Sequence, residues 1–164
     1  MTWTPSGNFL LNQAIADRSL TKKHDLGTIV TCKDPTYGAG EFIYSDGVAS
    51  CVPKCWVTLN SDDGTVTRLA ANAIGPVGIA MASITASYYG WFQIGGKALG
   101  ACLTLFADNG RVYITGTAGS VDDASVAGDY VWNAKGASTT TADSGYAEFE
   151  LARPFVADRV SIIS

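Results

Sequence analysis

At 164 residues, with 11 basic and 15 acidic side chains and a formal net charge of −4, the chain is sized for one domain that buries a full apolar core. Apart from Lys22 and Lys23 its cations are scattered, so no row of positive charge is available to neutralise a nucleic-acid backbone. The longest apolar run, residues 75–97, is interrupted by Gly75, Pro76, Gly78, Gly90, Gly95 and Gly96 and carries Ser83, Thr85 and Ser87, which excludes a membrane-spanning helix.

Residues 1–20 contain neither a basic start followed by an apolar run nor a lipidation motif, so synthesis and residence in the cytoplasm are expected. Residues 1–25 read as an N-terminal arm: a turn-rich start, one short helix over 9–16, and a polar hinge from Thr21 to Asp25. Trp3, Phe9, Leu10, Leu11 and Ile15 are too apolar for a disordered tail. They cover either this domain's own core or a neighbouring subunit.

Residues 26–164 read as a single all-β domain, a β-barrel or a β-sandwich, because short apolar stretches recur at close spacing between turn residues. The expected strands are Gly27–Lys33, Gly40–Tyr44, Trp56–Leu59, Val66–Leu69, Val77–Ser83, Gly90–Ile94, Lys97–Leu105, Val112–Thr117, Tyr130–Ala134 and Ala147–Leu151. Turns fall at 34–38, 45–47, 60–64, 108–110 and 143–145, where Asp, Asn and Gly accept positive φ. Ser120 and the acids at 122 and 123 suit one helical turn over 122–127. The polar stretch 136–143 reads as a mobile loop.

Catalytic patterns fail residue by residue. Ile94-Gly95-Gly96-Lys97 is followed by Ala98 where a phosphate loop needs a hydroxyl, and Gly38-Ala39-Gly40 lacks the third glycine of a dinucleotide fingerprint. The single histidine, His24, lies in the polar hinge and reads as solvated rather than as a general base. Glu148 and Glu150 would share the outer face of a strand, opposite Phe149 and Leu151, instead of flanking a scissile bond. Cys32, Cys51, Cys55 and Cys102 read as free, mostly buried thiols, since Cys51 and Cys55 lack the second ligand pair of a zinc site. Neither an enzyme, a metal nor a cofactor is expected.

Tyr88, Tyr89, Trp91 and Phe92, with Trp132 nearby, suit two uses: a stacking platform for a glycan, or a subunit interface that buries rings and satisfies their polar tips. In the strand over 90–94, Trp91 and Gln93 share one face and Phe92 and Ile94 the other. One of these aromatics is therefore expected off the main core.

Four segments, residues 40–49, 71–80, 89–97 and 152–155, taken together resemble the small head decoration, or cement, proteins of tailed bacteriophages. Tyr89-Gly-Trp-Phe-Gln-Ile-Gly-Gly-Lys97 is the most specific of them, and the likeness spans roughly Leu26 to Asp158. The resemblance implies a non-enzymatic virion protein that binds the outer surface of the icosahedral head as a homo-oligomer, a dimer or trimer with the trimer favoured. It also implies that the major capsid protein is the partner. On that reading Trp3, Phe9, Leu10, Leu11, Ile15, Tyr88, Tyr89 and Trp91 form the capsid or subunit interface, and removing residues 1–20 abolishes capsid binding while sparing the fold. The alternative is a glycan-binding head-fibre or tail component that uses the 88–91 region.

Overall fold

A computed structural model of the chain describes residues 2–8, 10–139 and 145–159. Within them the protein is all-β: β1 (Thr4–Pro5), β2 (Arg18–Ser19), β3 (Ile29–Asp34), β4 (Gly38–Asp46), β5 (Trp56–Asn60), β6 (Thr65–Arg68), β7 (Ile74–Ala80), β8 (Tyr89–Ala101), β9 (Arg111–Ile114), β10 (Val121–Asp122), β11 (Tyr130–Gly136) and β12 (Tyr146–Ala157). All twelve join one antiparallel sheet whose main path runs β1-β3-β4-β8-β7-β12-β11-β9-β10, with β2 on β8, and β5 and β6 branching from β7.

Strands β7, β8 and β12 each pair antiparallel with the other two, which no flat sheet allows. The conflict is resolved by bending. Residues 146–152 of β12 pair with β8, the chain then turns at Arg153, where φ is 50°, and residues 155–157 pair with β7. Strand β8 bends at the same level: Gly96 has φ of 84°, and a side chain there would meet the Ala39 carbonyl of β4. The glycines at 95 and 96 therefore kink one 13-residue strand where the sequence pattern places a break between two.

These bends fold the sheet over itself and create apolar layers on both of its faces. Trp56, Val77, Ile79, Phe106, Phe149 and their neighbours form the largest core. Val57, Leu59, Val66, Phe92 and Ile94, joined by Cys51 and Cys55, form a second on the opposite face of β5. A third holds Val30, Cys32, Phe42, Tyr44 and Trp91 on the opposite face of β4 and β8. Trp91 and Phe92 point to opposite sides as strand alternation requires, yet both are buried, because each side has its own cover.

The turns expected at 34–38 and 60–64 close hairpins, whereas β4 runs on to Asp46 through the turn expected at 45–47, and the turn expected at 143–145 reaches outside the described residues. Gly38 (φ 77°) closes the β3–β4 hairpin in register Asp34 to Gly38, and Gly64 (φ 73°) closes β5–β6 with Asn60 opposite Thr65. Two further local expectations are corrected. Residues 10–16 follow bends and turns with no helix, and the segment at 121–122 is β10, paired with Ile114 and Tyr113, rather than the start of a helical turn.

Candidate functional site: an open apolar stripe beside a covered one

The N-terminal segment covers the third core of its own chain. Its β1 pairs with Lys33 and Cys32 of β3, and its β2 with Gly90 and Tyr89 of β8, so the arm is stitched to the sheet at two points. Trp3 packs edge-on against Phe42 with ring centroids 4.9 Å apart, Ile15 is fully buried, and Leu11 packs against the same cluster. Gln13 carries the polar side of this contact. Its Oε1 accepts from the Tyr44 hydroxyl (2.7 Å), its Nε2 donates to the Asp17 and Tyr89 carbonyls, and its own carbonyl accepts from Trp91 Nε1 (2.9 Å). A carboxylate holds the start of the arm as well: Asp34 accepts from the amides of Thr2, Thr36 and Tyr37, which keeps its pKa below the usual range.

The residues singled out from the sequence thus fall into different places. Trp3, Ile15 and Trp91 are inside, Leu11 and Tyr89 are partly buried against the third core, and Tyr88 is partly buried beneath the Arg18 guanidinium, 4.2 Å from its ring centre. Leu10 is 75 % exposed. Phe9 lies outside the described residues. Tyr88, Tyr89 and Trp91 do not make one exposed platform, because consecutive strand residues point to opposite faces and Trp91 is sealed by the arm.

His24 is corrected from solvated to packed: its ring lies 5.3 Å from Tyr44 and 5.1 Å from Trp91, and burial pulls its pKa below 6.5. Glu148 is paired with Lys97 at 2.7 Å and accepts from the Tyr37 hydroxyl at 2.9 Å. Lys97 is the main cause of its lowered pKa, while burial and Glu148 push Tyr37 up to about 12. Glu150 pairs separately with Lys135. Among the described residues no group of three His, Cys, Asp or Glu side chains is placed to hold a metal ion, and no helix is long and apolar enough to cross a membrane.

What the register brings together instead is a row of apolar side chains on an outer face. Trp132 of β11 stands opposite Phe155 of β12, and Phe155 stands opposite Pro76 of β7. Beyond Pro76 a cleft of about 260 Å³ continues the row through Leu59 and Ile94 to Ile43 and Ile29, which face each other across β3 and β4. A second cleft of about 500 Å³ extends from Ile29, Ile43 and Leu59 to the acidic turn at Asp62 and Asp63. Ile74 flanks the row at 67 % exposure, and Trp132, Phe155 and Ile29 are each about 40 % exposed. Arg153 reaches from the bend of β12 to Glu41 of β4 (2.8 Å) and bridges the two banks. An apolar row of this extent with a charged rim is the composition of a contact surface.

Sequence reasoning missed Ile29, Ile74 and Phe155 in this role. The available signal was the pairs Val131-Trp132 and Phe155-Val156, consecutive apolar residues within strands, which place large apolar groups on both faces of one sheet. Beside the stripe, Trp132 packs edge-on against Tyr130 with centroids 4.7 Å apart, and a shallow cleft of about 440 Å³ is lined by Tyr130, Asn133, Lys135 and Glu150.

In comparisons with known proteins, no family model matches the chain, and neither a curated protein nor a solved structure matches it.

Proposed function

We propose that this is a non-enzymatic virion protein that binds the outer surface of a tailed-phage head as a homo-oligomer and reinforces contacts between major capsid protein subunits. The observation that carries the reading is the stripe through Trp132, Phe155, Ile74 and Ile29, left open among the described residues while the third core is closed by the arm. The resemblance of residues 40–49, 71–80, 89–97 and 152–155 to decoration proteins supplies the partner, and the first and last of these contribute Ile43 and Phe155 to the stripe and its cleft. His24 and Glu148 are committed to packing and to an ion pair, which agrees with a role in contact rather than turnover.

The physical logic is linkage. A ligand that binds the assembled lattice and not free capsid subunits shifts the equilibrium toward the lattice, and an oligomer raises the effective concentration of each further contact. The test is to pellet DNA-free heads of the encoding phage with the purified protein. Saturation at a fixed ratio to the major capsid protein is expected, and failure to pellet with the heads would remove the reading.

The glycan-binding alternative gains one specific observation, at a different place from the 88–91 region. Trp132 offers an exposed ring beside Tyr130, with Asn133, Lys135 and Glu150 lining the cleft next to them, a pairing of aromatic and planar polar groups suited to a sugar ring. Quenching of tryptophan fluorescence by host surface polysaccharide, lost in Trp132→Ala, would favour it.

A further inference from the structure

The four cysteines are distributed over three separate cores. Cys102 lies in the largest, Cys32 in the core beneath the arm, and Cys51 and Cys55 together in the second. Only Cys51 and Cys55 share a core. They are buried at the two ends of a tight turn, in which the Cys55 amide donates to the Val52 carbonyl (3.2 Å) and the Cys51 amide to the Val48 carbonyl (3.1 Å). Lys54, at φ of 73°, occupies the turn position that normally selects glycine or asparagine. The two thiols are near enough to shift each other's proton affinity, and Cys55 Sγ donates to the Trp56 carbonyl (3.4 Å).

We propose that Cys51 and Cys55 are a modification site: a dithiol that closes to an intrachain disulfide when the folded protein meets a small-molecule disulfide such as oxidised glutathione. The inference does not rest on the virion reading. Cys55 is the first nucleophile, since the neighbouring Cys51 and the charge of Arg68 lower its pKa, whereas Cys55 and burial raise that of Cys51. The Cys55 thiolate attacks one sulfur of oxidised glutathione, forming a mixed disulfide and releasing one glutathione thiolate. Cys51 then gives up its proton and attacks Cys55 Sγ, releasing the second glutathione. The protein loses two protons and two electrons, and one oxidised glutathione becomes two reduced ones.

Both thiols are buried, but the turn between them is on the surface, with Val52 and Pro53 exposed, so the oxidant reaches them only when the turn opens. The bond would fix a junction. The Lys54 amide donates to the Ala80 carbonyl at the end of β7, and the Lys54 carbonyl accepts from the Ala101 amide at the end of β8.

Lys54 also makes the test decisive. Trypsin cleaves after it, and each cysteine falls in its own tryptic peptide. The full-length reduced protein is incubated with excess oxidised glutathione under native conditions, its remaining thiols are alkylated in denaturant, and the digest is mapped without reductant. The expected result is alkylation at Cys32 and Cys102 only, with peptides 34–54 and 55–68 joined, two hydrogens lighter than their sum, and separated by dithiothreitol. Cys51→Ser should stop at a mixed disulfide between Cys55 and glutathione. Four alkylated cysteines, a persistent glutathione adduct in the unmodified sequence, or a bridge to Cys32 or Cys102 would each overturn the proposal, and the mapping of the unmodified sequence decides even if the variant fails to fold.

Discussion

Two apolar faces of this protein meet opposite fates. The face built by Phe42, Tyr44 and Trp91 is closed by the chain's own first residues, with Trp3 and Ile15 filling it and Gln13 satisfying the polar tips of Tyr44 and Trp91. The face built by Trp132, Phe155, Pro76 and Ile29 has no such segment over it among the described residues and keeps large side chains about 40 % exposed. Composition does not separate them, since both are aromatic and β-branched. What separates them is largely polar accounting: the Tyr44 hydroxyl and the Trp91 N–H are given fixed partners within the chain, although Trp3 Nε1 is buried with none among the described residues, while the open row is made mainly of groups that need none.

The largest effect expected from this contrast is on stability. Removing residues 1–20 strips Trp3, Gln13 and Ile15 from the third core, at a cost on the order of 5 kcal/mol from apolar burial alone, which rivals the whole stability of a domain of this size. The truncated chain should unfold or lose its cooperative urea transition. The sequence-based expectation that this truncation spares the fold is replaced by that outcome, because the arm is part of a core.

Smaller changes sharpen the comparison. Trp91→Phe leaves the Gln13 carbonyl without its donor and should cost about 1–3 kcal/mol, whereas Trp3→Phe should cost less, since Trp3 Nε1 has no hydrogen-bond partner among the described residues. Chemical denaturation of the two variants reads the difference directly. On the open face, Phe155→Glu should leave stability within about 1 kcal/mol and weaken head binding at least about tenfold, as expected for an anchor at the middle of a contact.

The pH dependence belongs to the covered face. His24 is held below 6.5 by burial against Tyr44 and Trp91, with Asp25 opposing the shift, so the unfolded chain binds its proton first. Stability should be fully present above pH 6.5 and decline as pH falls through the lowered folded value. His24→Gln should flatten that decline in denaturation curves measured across this window. The carboxylates of Asp34 and Glu148, also lowered, act in a separate window further down, below the ordinary carboxylate range. The smallest effect is expected at Leu105, which is 79 % exposed and held at φ of 68°. Leu105→Gly should raise the denaturation midpoint through a gain of about 1 kcal/mol by relieving the left-handed strain.

The all-β class and the hairpins at 34–38 and 60–64 were legible because they depend on local rules, strand alternation and positive-φ turn residues. The kink at Gly95 and Gly96 was not, because the same two glycines serve either to end a strand or to let another backbone pass close, and only the presence of β4 decides. The short helix expected over 9–16 does not form across residues 10–16. The partner that overrides that propensity is the pair Tyr44 and Trp91, recruited from far along the chain by Gln13. The stripe was hidden for a related reason: residues 29, 74, 132 and 155 become neighbours only through strand register, and a strand with apolar residues on both faces does not announce which face stays open.

The most direct test of the central claim is amide hydrogen exchange of the protein free and bound to DNA-free heads. The account predicts new protection concentrated at 29–31, 74–76, 130–133 and 153–156, with the arm from Leu10 to His24 unchanged. Protection that appears on the arm or around Tyr88 and leaves those four segments untouched would contradict it.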